Sequence, residues 1–407
     1  MSAYNLRRFA QPDVLKNIHK DNLITFLELY ENYLTERGFN FNLNADNELD
    51  YETLCEILLN PTENMDLDLV DALFFIQEMS DSKHFEELSE QAIANNLNIP
   101  ENSTTADLAL ALWLHNPEIL KRLHAEVIIL KPKSFIYFQS DQKSSDIFPL
   151  PKDEVIRTLE KSMDAWFYEK KRGTGCRIIT GKAEDENKTY FLIRHGMPLK
   201  REGKIESGKS QTILYRPEFH DVIVYDCVHN ELAVFNKSGA KKERMMYLDL
   251  FSQHLFGQKK YFPNKEKYTL QPLIDKGENA LACIDIDGIE TIKLIEIQLQ
   301  FRGRYNDKNT LRSSDIFASL SDKGKSFPTF GELVSASFSV KFDNAKRPRT
   351  VKVRPPNVAS FDRKEDSHLI ETWLRKCGFV NKQQEEESNP PVTHKENHDA
   401  VSNVTMV

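Results

Sequence analysis

The chain has 407 residues, of which 40% are hydrophobic and 29% charged, and its formal net charge is −8. That length exceeds one small domain, and the apolar share is enough for extended cores. The acidic balance excludes a uniformly basic nucleic-acid coat, though not a local basic patch. Five scattered cysteines, Cys55, Cys176, Cys227, Cys283 and Cys377, make no CxxC pair and read as reduced thiols of a cytoplasmic protein. The N-terminal stretch lacks the apolar core of a secretory signal, and no run approaches the ~20 apolar residues of a membrane span. A membrane partner is not expected.

Residues 1–126 read as helices. Asp21 is placed to cap a helix reaching Arg37, with Leu23, Phe26, Leu27, Tyr30 and Leu34 on one face and Gly38 as its stop. Asp50 precedes a helix over Tyr51–Leu59, and Leu67–Met79 is the next. Ser82 can cap His84–Asn95, and Thr104 can cap the apolar segment Ala106–His115. Pro117 then opens another helix at its first position. Short polar connections and the lack of strand patterning point to a compact α-helical domain.

The pattern changes near Ala125. Val127–Leu130 and Ser134–Gln139 look like strands, and Pro151 opens a helix carrying Val155, Leu159, Met163, Trp166 and Phe167. Strand-like runs follow at Cys176–Gly181, Thr189–Arg194, Thr212–Arg216, Asp221–Tyr225 and Glu231–Phe235, the last two as a hairpin. Lys200–Gly208 reads as a polar loop. A helix with Met245, Met246, Leu248, Leu250 and Phe251 ends at Gly257. Ala280–Asp285 is expected as a strand before the turn Asp287-Gly288. Glu290–Phe301 alternates cleanly, with Ile295, Ile297, Leu299 and Phe301 on one face and Glu296, Gln298 and Gln300 on a wet one. Leu333–Phe342 and Arg349–Arg354 make a further pair, and Asp366–Lys376 is the last helix. The fold class expected is α+β: an all-helical domain over 1–126, a mostly antiparallel α+β domain over 127–380, and a disordered polar tail over 381–407.

Three groups of residues raise chemical questions. Tyr190-Phe191-Leu192-Ile193-Arg194-His195-Gly196 locally resembles the signature of the histidine phosphatase family. The resemblance implies His195 as phosphorylated nucleophile and Arg194 as phosphate clamp. That family follows its motif with a long helix and supplies a second His-Gly pair. Here His220, His229 and His254 precede Asp, Asn and Leu, so the plainer expectation is a strand end with solvent-facing Arg194 and His195.

Asp285, Asp287, Glu296 and Gln298 resemble the metal site of PD-(D/E)xK nucleases, which implies Asp285, Asp287 and Glu296 as magnesium ligands. The position of that family's lysine holds Gln298, and simple alternation puts Lys293 on the other strand face. A polar sheet face beside an Asp-Gly turn explains the same residues. No cofactor is expected.

The third group is basic. Lys346, Arg347, Arg349, Lys352 and Arg354 fall in one hairpin, with Lys341 nearby; Lys200, Arg201, Lys204 and Lys209 form another cluster after the Arg-His-Gly triplet. In an acidic chain such clusters imply charge asymmetry and a face for a polyanion. No Walker, Rossmann, zinc-ligand or nucleophile-elbow motif occurs, nor any signature of base-specific readout. The expected function is a binding or adaptor protein engaging nucleic acid, without sequence preference, or a partner protein through basic loops of the C-terminal domain. A metal-dependent nuclease or phosphoesterase and a structural subunit of a complex are the alternatives, so enzymatic activity stays open.

Overall fold

The structure, a computed structural model, describes residue 6 and residues 11–43, 48–142, 148–183, 187–206, 208–363, 367–381 and 404–406. Contacts divide the chain into two compact units, Met1–Val127 and Ile128–Val407. The class is α+β, with the helices of the first unit preceding a large antiparallel sheet. Among the described residues no helix is long and apolar enough to cross a membrane. All five thiols are free.

The first unit contains α1 (Pro12–Lys16), α2 (Lys20–Glu28), α3 (Glu31–Glu36), α4 (Tyr51–Leu59), α5 (Leu67–Met79), α6 (Phe85–Ala94), α7 (Thr105–His115) and the start of α8 (Pro117–Leu130). Helix α7 is its axis. Residues 105–110 are all buried, together with Leu112 and Trp113, because α2, α5 and α6 pack around it. Its start is fixed by a capping box: the Asp107 amide donates to the Thr104 hydroxyl at 3.2 Å, and the Thr104 amide donates back to Asp107 at 2.7 Å. The expected single helix from Asp21 to Arg37 is instead two, α2 and α3, broken at Leu29–Tyr30. No glycine or proline marks that break. Val127–Leu130, expected as a strand, completes α8. Its branched residues favour a strand locally, but the preceding helical turns carry them until Pro132 prevents continuation.

The second unit is built on β1 (Ser134–Gln139), β2 (Arg177–Ala183), β3 (Lys188–Gly196), β4 (Lys200–Glu206), β5 (Lys209–Tyr215), β6 (Glu218–Asp226), β7 (Glu231–Phe235), β8 (Ile289–Gln300), β9 (Lys308–Arg312), β10 (Glu332–Phe342), β11 (Arg349–Arg354), β12 (Val358–Ser360) and β13 (Val404–Met406). The main sheet runs β13-β2-β3-β6-β7-β1-β12-β11-β10-β8-β9, with every pair antiparallel; β4 and β5 pair only with each other. Its helices are α9 (Asp153–Glu169), α10 (Lys241–Phe256), α11 (Gln271–Asp275), α12 (Ile316–Asp322) and α13 (Ser367–Lys376). Most of the expected tail lies outside the described residues; Val404–Met406 adds an edge strand on β2. The expected strand Ala280–Asp285 is a 3-10 turn over Gly277–Leu281 followed by loop.

Directly paired residues share a sheet face, so the register assigns the layers. Phe191, Ile223 and Val234 lie on one face and pack with Phe167 of α9 and Tyr247 and Phe251 of α10. Leu192, Val224, Ala233 and Tyr137 lie on the other. On that second face Trp373 of α13 meets Phe338 of β10 and Phe379, with ring centroids 5.0 and 5.2 Å away. In β8 an extra residue, Ile295, is bulged between Leu294, opposite Phe338, and Glu296, opposite Ser337. The strand therefore changes phase. Ile292, Leu294, Ile297 and Leu299 are buried, while Ile295 is only half-buried.

The second face also holds a charged network that ties α13 to the sheet. Lys188 Nζ lies 3.3 Å from Glu371 Oε2, and Arg363 Nη1 lies 3.8 Å from Glu371 Oε1. Arg363 stacks over Phe135 at 4.2 Å and donates to the Tyr137 hydroxyl. Lys267 sits 3.8 Å above the Tyr137 ring and 2.5 Å from Glu231 Oε1. Burial alone would raise the Glu371 carboxyl; Lys188, Lys267, Arg363 and Arg375 outweigh it and hold it far below the usual range.

A depressed carboxyl contributes stability that is present above its unfolded value and lost as pH falls through the folded one. The Glu371 contribution is therefore complete at pH 7 and fades below about pH 4. Glu371→Gln should cost about 3 kcal/mol at pH 7, since it leaves buried cations unpaired. Denaturant midpoints at pH 7 and near pH 3 check both points: the variant should lose less on acidification than wild type, and parallel losses would contradict the tie.

Candidate nucleic-acid interface

The Arg-His-Gly triplet closes β3, and strand alternation splits it. Arg194 is exposed, its Nε 3.7 Å from Glu218 on β6. His195, expected to face solvent, is instead buried at 3% exposure and stacks on Phe167 of α9 at 4.4 Å. Its Nδ1 donates to the Gly196 carbonyl at 2.9 Å, and its Nε2 lies 3.2 Å from Asp221 Oδ2 and 4.0 Å from Glu243 Oε1. Both ring nitrogens are engaged by partners within the fold.

The surrounding carboxylates are equally occupied. Asp221 accepts from the Lys237 amide and the Tyr247 hydroxyl, each at 2.8 Å. Glu243, fully buried, is paired with Arg172 and accepts from Asn236 at 3.1 Å and from the Ser238 hydroxyl. Burial, then the neighbouring Asp221 and Glu243, push the Tyr247 hydroxyl well above its ordinary value. Gly196 is required by packing: a Cβ there would sit 2.5 Å from the Arg172 carbonyl. Each residue of the triplet thus has a structural cause, and His195 has neither a free nitrogen nor an approach for a phosphate.

The candidate metal ligands are not brought together. Asp285 and Asp287 are exposed in the turn before β8, and they form no group of three ligand atoms with Glu296. Glu296 is 2.9 Å from Lys352 and 2.8 Å from Arg312, and these cations lower its carboxyl. The bulge at Ile295 also corrects the placement of Lys293: opposite Ser339, it shares a face with Glu296, opposite Ser337, but it pairs with Asp315 at 3.6 Å. Among the described residues, two groups have metal-like spacing: His195–Asp221–Glu243, and Asp226–His229–Glu231. The first is saturated as described. In the second, Asp226 caps the β6–β7 turn through the His229 amide and ring at 3.0 and 2.9 Å, and Glu231 holds Lys267. Both groups are accounted for by internal partners.

Both basic clusters are partly engaged by protein partners; in the second, Lys200 lies 2.8 Å from Glu202, Arg201 donates to the Thr212 hydroxyl at 3.0 Å and Arg216 to the Lys171 carbonyl at 3.1 Å. In the β10–β11 hairpin Lys346 and Arg347 are exposed on the turn. Arg349 lies over the Phe342 ring at 4.9 Å, Lys352 is paired with Glu296, and Arg354 reaches the Ser134 hydroxyl at 3.4 Å. Three of its five cations therefore have protein partners.

Lys200, Arg201 and Lys204 lie not on a loop but on a strand. The β3–β6 pairing ends at Gly196 opposite Glu218, and a backbone bond of 2.8 Å joins Met197 to Pro217. Pro198 and Pro217 lack the donors to continue the ladder. Beyond them β4 and β5 resume it, from Lys200 opposite Tyr215 to Glu206 opposite Lys209. Seven paired residues at ~3.3 Å each make a ribbon ~20 Å long that no other strand covers.

Both faces of the ribbon meet solvent: Lys200, Arg201, Lys204 and Lys209 are exposed, as are Ile205 at 83% and Leu214 at 60%. Residues 199–216 carry five cations, Lys200, Arg201, Lys204, Lys209 and Arg216, against Glu202 and Glu206, in a chain whose net charge is −8. Glu202 is engaged locally by Lys200 at 2.8 Å and Tyr215 at 2.9 Å. The expected strand Thr212–Arg216 is part of β5, whereas β4 was expected as a polar loop because charge hides its alternation; the available signal was two runs of equal length around Ser207-Gly208. Comparison with known proteins finds no matching family model and no matching curated protein.

Removing the His195 ring should open a cavity beside Phe167 and leave Asp221 with the Lys237 and Tyr247 donors alone. His195→Ala should destabilise the fold by about 3 kcal/mol in denaturant unfolding, and incubation of wild type with phosphodonors should leave His195 unmodified by mass spectrometry. A phosphorylated His195, or a fully stable variant, would contradict the buried role.

Proposed function

We propose that the protein binds nucleic acid without sequence preference, with the β4–β5 ribbon as principal contact and the Lys346–Arg347 turn as a secondary one. The observation that supports this reading is the ribbon itself. A two-stranded ribbon has no core of its own and is marginal in isolation. Here most of its described side chains are exposed, and its cations outnumber its carboxylates. Such an element fits the groove and phosphates of a duplex, since the major groove admits a two-stranded ribbon. Phosphate neutralisation by lysine and arginine requires no further machinery.

A second reading has one observation in its favour. Leu199 and Leu214, 54% and 60% exposed near the ribbon root, offer apolar area suited to a partner protein. Salt dependence separates the two readings.

Lys200, Arg201 and Lys204 replaced together by glutamine should flatten the log-affinity against log-salt slope by about two to three units on a generic duplex. Replacing Arg347, Lys352 and Arg354 should flatten it less, because that turn is the secondary contact in this reading. Fluorescence anisotropy at several salt concentrations measures both. No wild-type binding at low salt, or an unchanged slope in the ribbon variant, would transfer the ribbon to the protein-partner reading.

A further inference from the structure

We infer that Ile205 is an apolar wedge that enters a base step and bends the duplex held by the ribbon, an inference that rests on the nucleic-acid reading above. The register isolates this side chain. Ile205 lies opposite Ser210, and its neighbours on the same face are Gly203 opposite Thr212, then Arg201 opposite Leu214. Around Ile205 the face is therefore flat, with a glycine before it and small hydroxyl side chains across from it. At 83% exposure it stands above that surface.

Its position completes the geometry. Ile205 is three residues before Gly208, at the end of the arm farthest from the sheet. Lys204 and Lys209, its neighbours along the two strands, project from the opposite face, and Arg201 is the cation that shares the Ile205 face. Gly208, at φ +75 with open space around it, keeps the turn small enough not to shield the tip. An arm that grips phosphates with cations and presents one branched apolar group at its tip has the parts needed to unstack a base pair. Proteins that do so insert isoleucine, leucine, phenylalanine, methionine or proline between base steps, and kink the duplex.

The probe is a duplex of about 30 base pairs with a central TA step, the most easily unstacked kind. Fluorophores at both ends report its bend, and 2-aminopurine at the step reports unstacking. Wild type should shorten the end-to-end distance and raise 2-aminopurine emission. Ile205→Ala should lose both signals and bind about tenfold more weakly, while Ile205→Leu should restore them. Ile284→Ala, at a position 95% exposed outside the ribbon, serves as the control and should bend the duplex as wild type does. Binding by wild type without a bend, or an undiminished bend with Ile205→Ala, would overturn the wedge and leave the nucleic-acid reading standing. Absence of wild-type binding at low salt would overturn both.

Discussion

The pairing of β3 with β6 is the constraint on which the second unit depends. Nine residues of each strand are in register, from Lys188 opposite Asp226 to Gly196 opposite Glu218. Alternation along this one ladder serves three ends. One face delivers His195 and Asp221 to the layer beneath α9 and α10. The opposite face delivers Lys188 and Asp226 to the charged network beneath α13. Past its proline-interrupted end the same hairpin leaves the sheet and becomes the ribbon. A slip of one residue would exchange the two faces and place buried charge against the apolar layers.

The two polar layers illustrate how this chain accommodates buried charge. Beneath α9 and α10, Arg172 and the His195 ring oppose Asp221 and Glu243; beneath α13, Lys188, Lys267 and Arg363 oppose Glu231 and Glu371. Each carboxylate has cations or donors within hydrogen-bonding distance, the condition under which burial of charge is tolerated. Such layers add little net stability over apolar packing, but any single deletion leaves an uncompensated ion. The lowered Glu371 carboxyl therefore has a structural origin. The ribbon differs from both layers: its cations are exposed to water rather than buried.

Much of the architecture was legible in the sequence. The helical start, the hairpin of β6 and β7, the long strand β8 and the final helix α13 all carry their periodicity openly. What was not legible has identifiable causes. The break at Leu29–Tyr30 has no glycine or proline to announce it. The bulge at Ile295 reverses strand phase without any change in composition, so strict alternation misassigned Lys293. His195 looked like a surface residue because its partners, Asp221 and Glu243, arrive from β6 and α10, 26 and 48 positions later. The basic residues were visible, yet their availability was not. Only the fold shows that Lys352 is paired with Glu296 and that Lys200, Arg201 and Lys204 lie on a strand rather than a loop.

The central claim is that the ribbon is an arm completed by a polyanion rather than part of the protein's own core. Hydrogen exchange of its backbone amides tests this most directly, because an uncovered two-stranded ladder opens easily. Amides of 200–206 and 209–215 should exchange quickly in the free protein, while those of 189–195 on β3 stay protected. Adding duplex at low salt should slow the ribbon amides, and raising the salt should reverse that protection. Ribbon amides as protected as β3 in the free protein, or unaltered by duplex, would contradict the account.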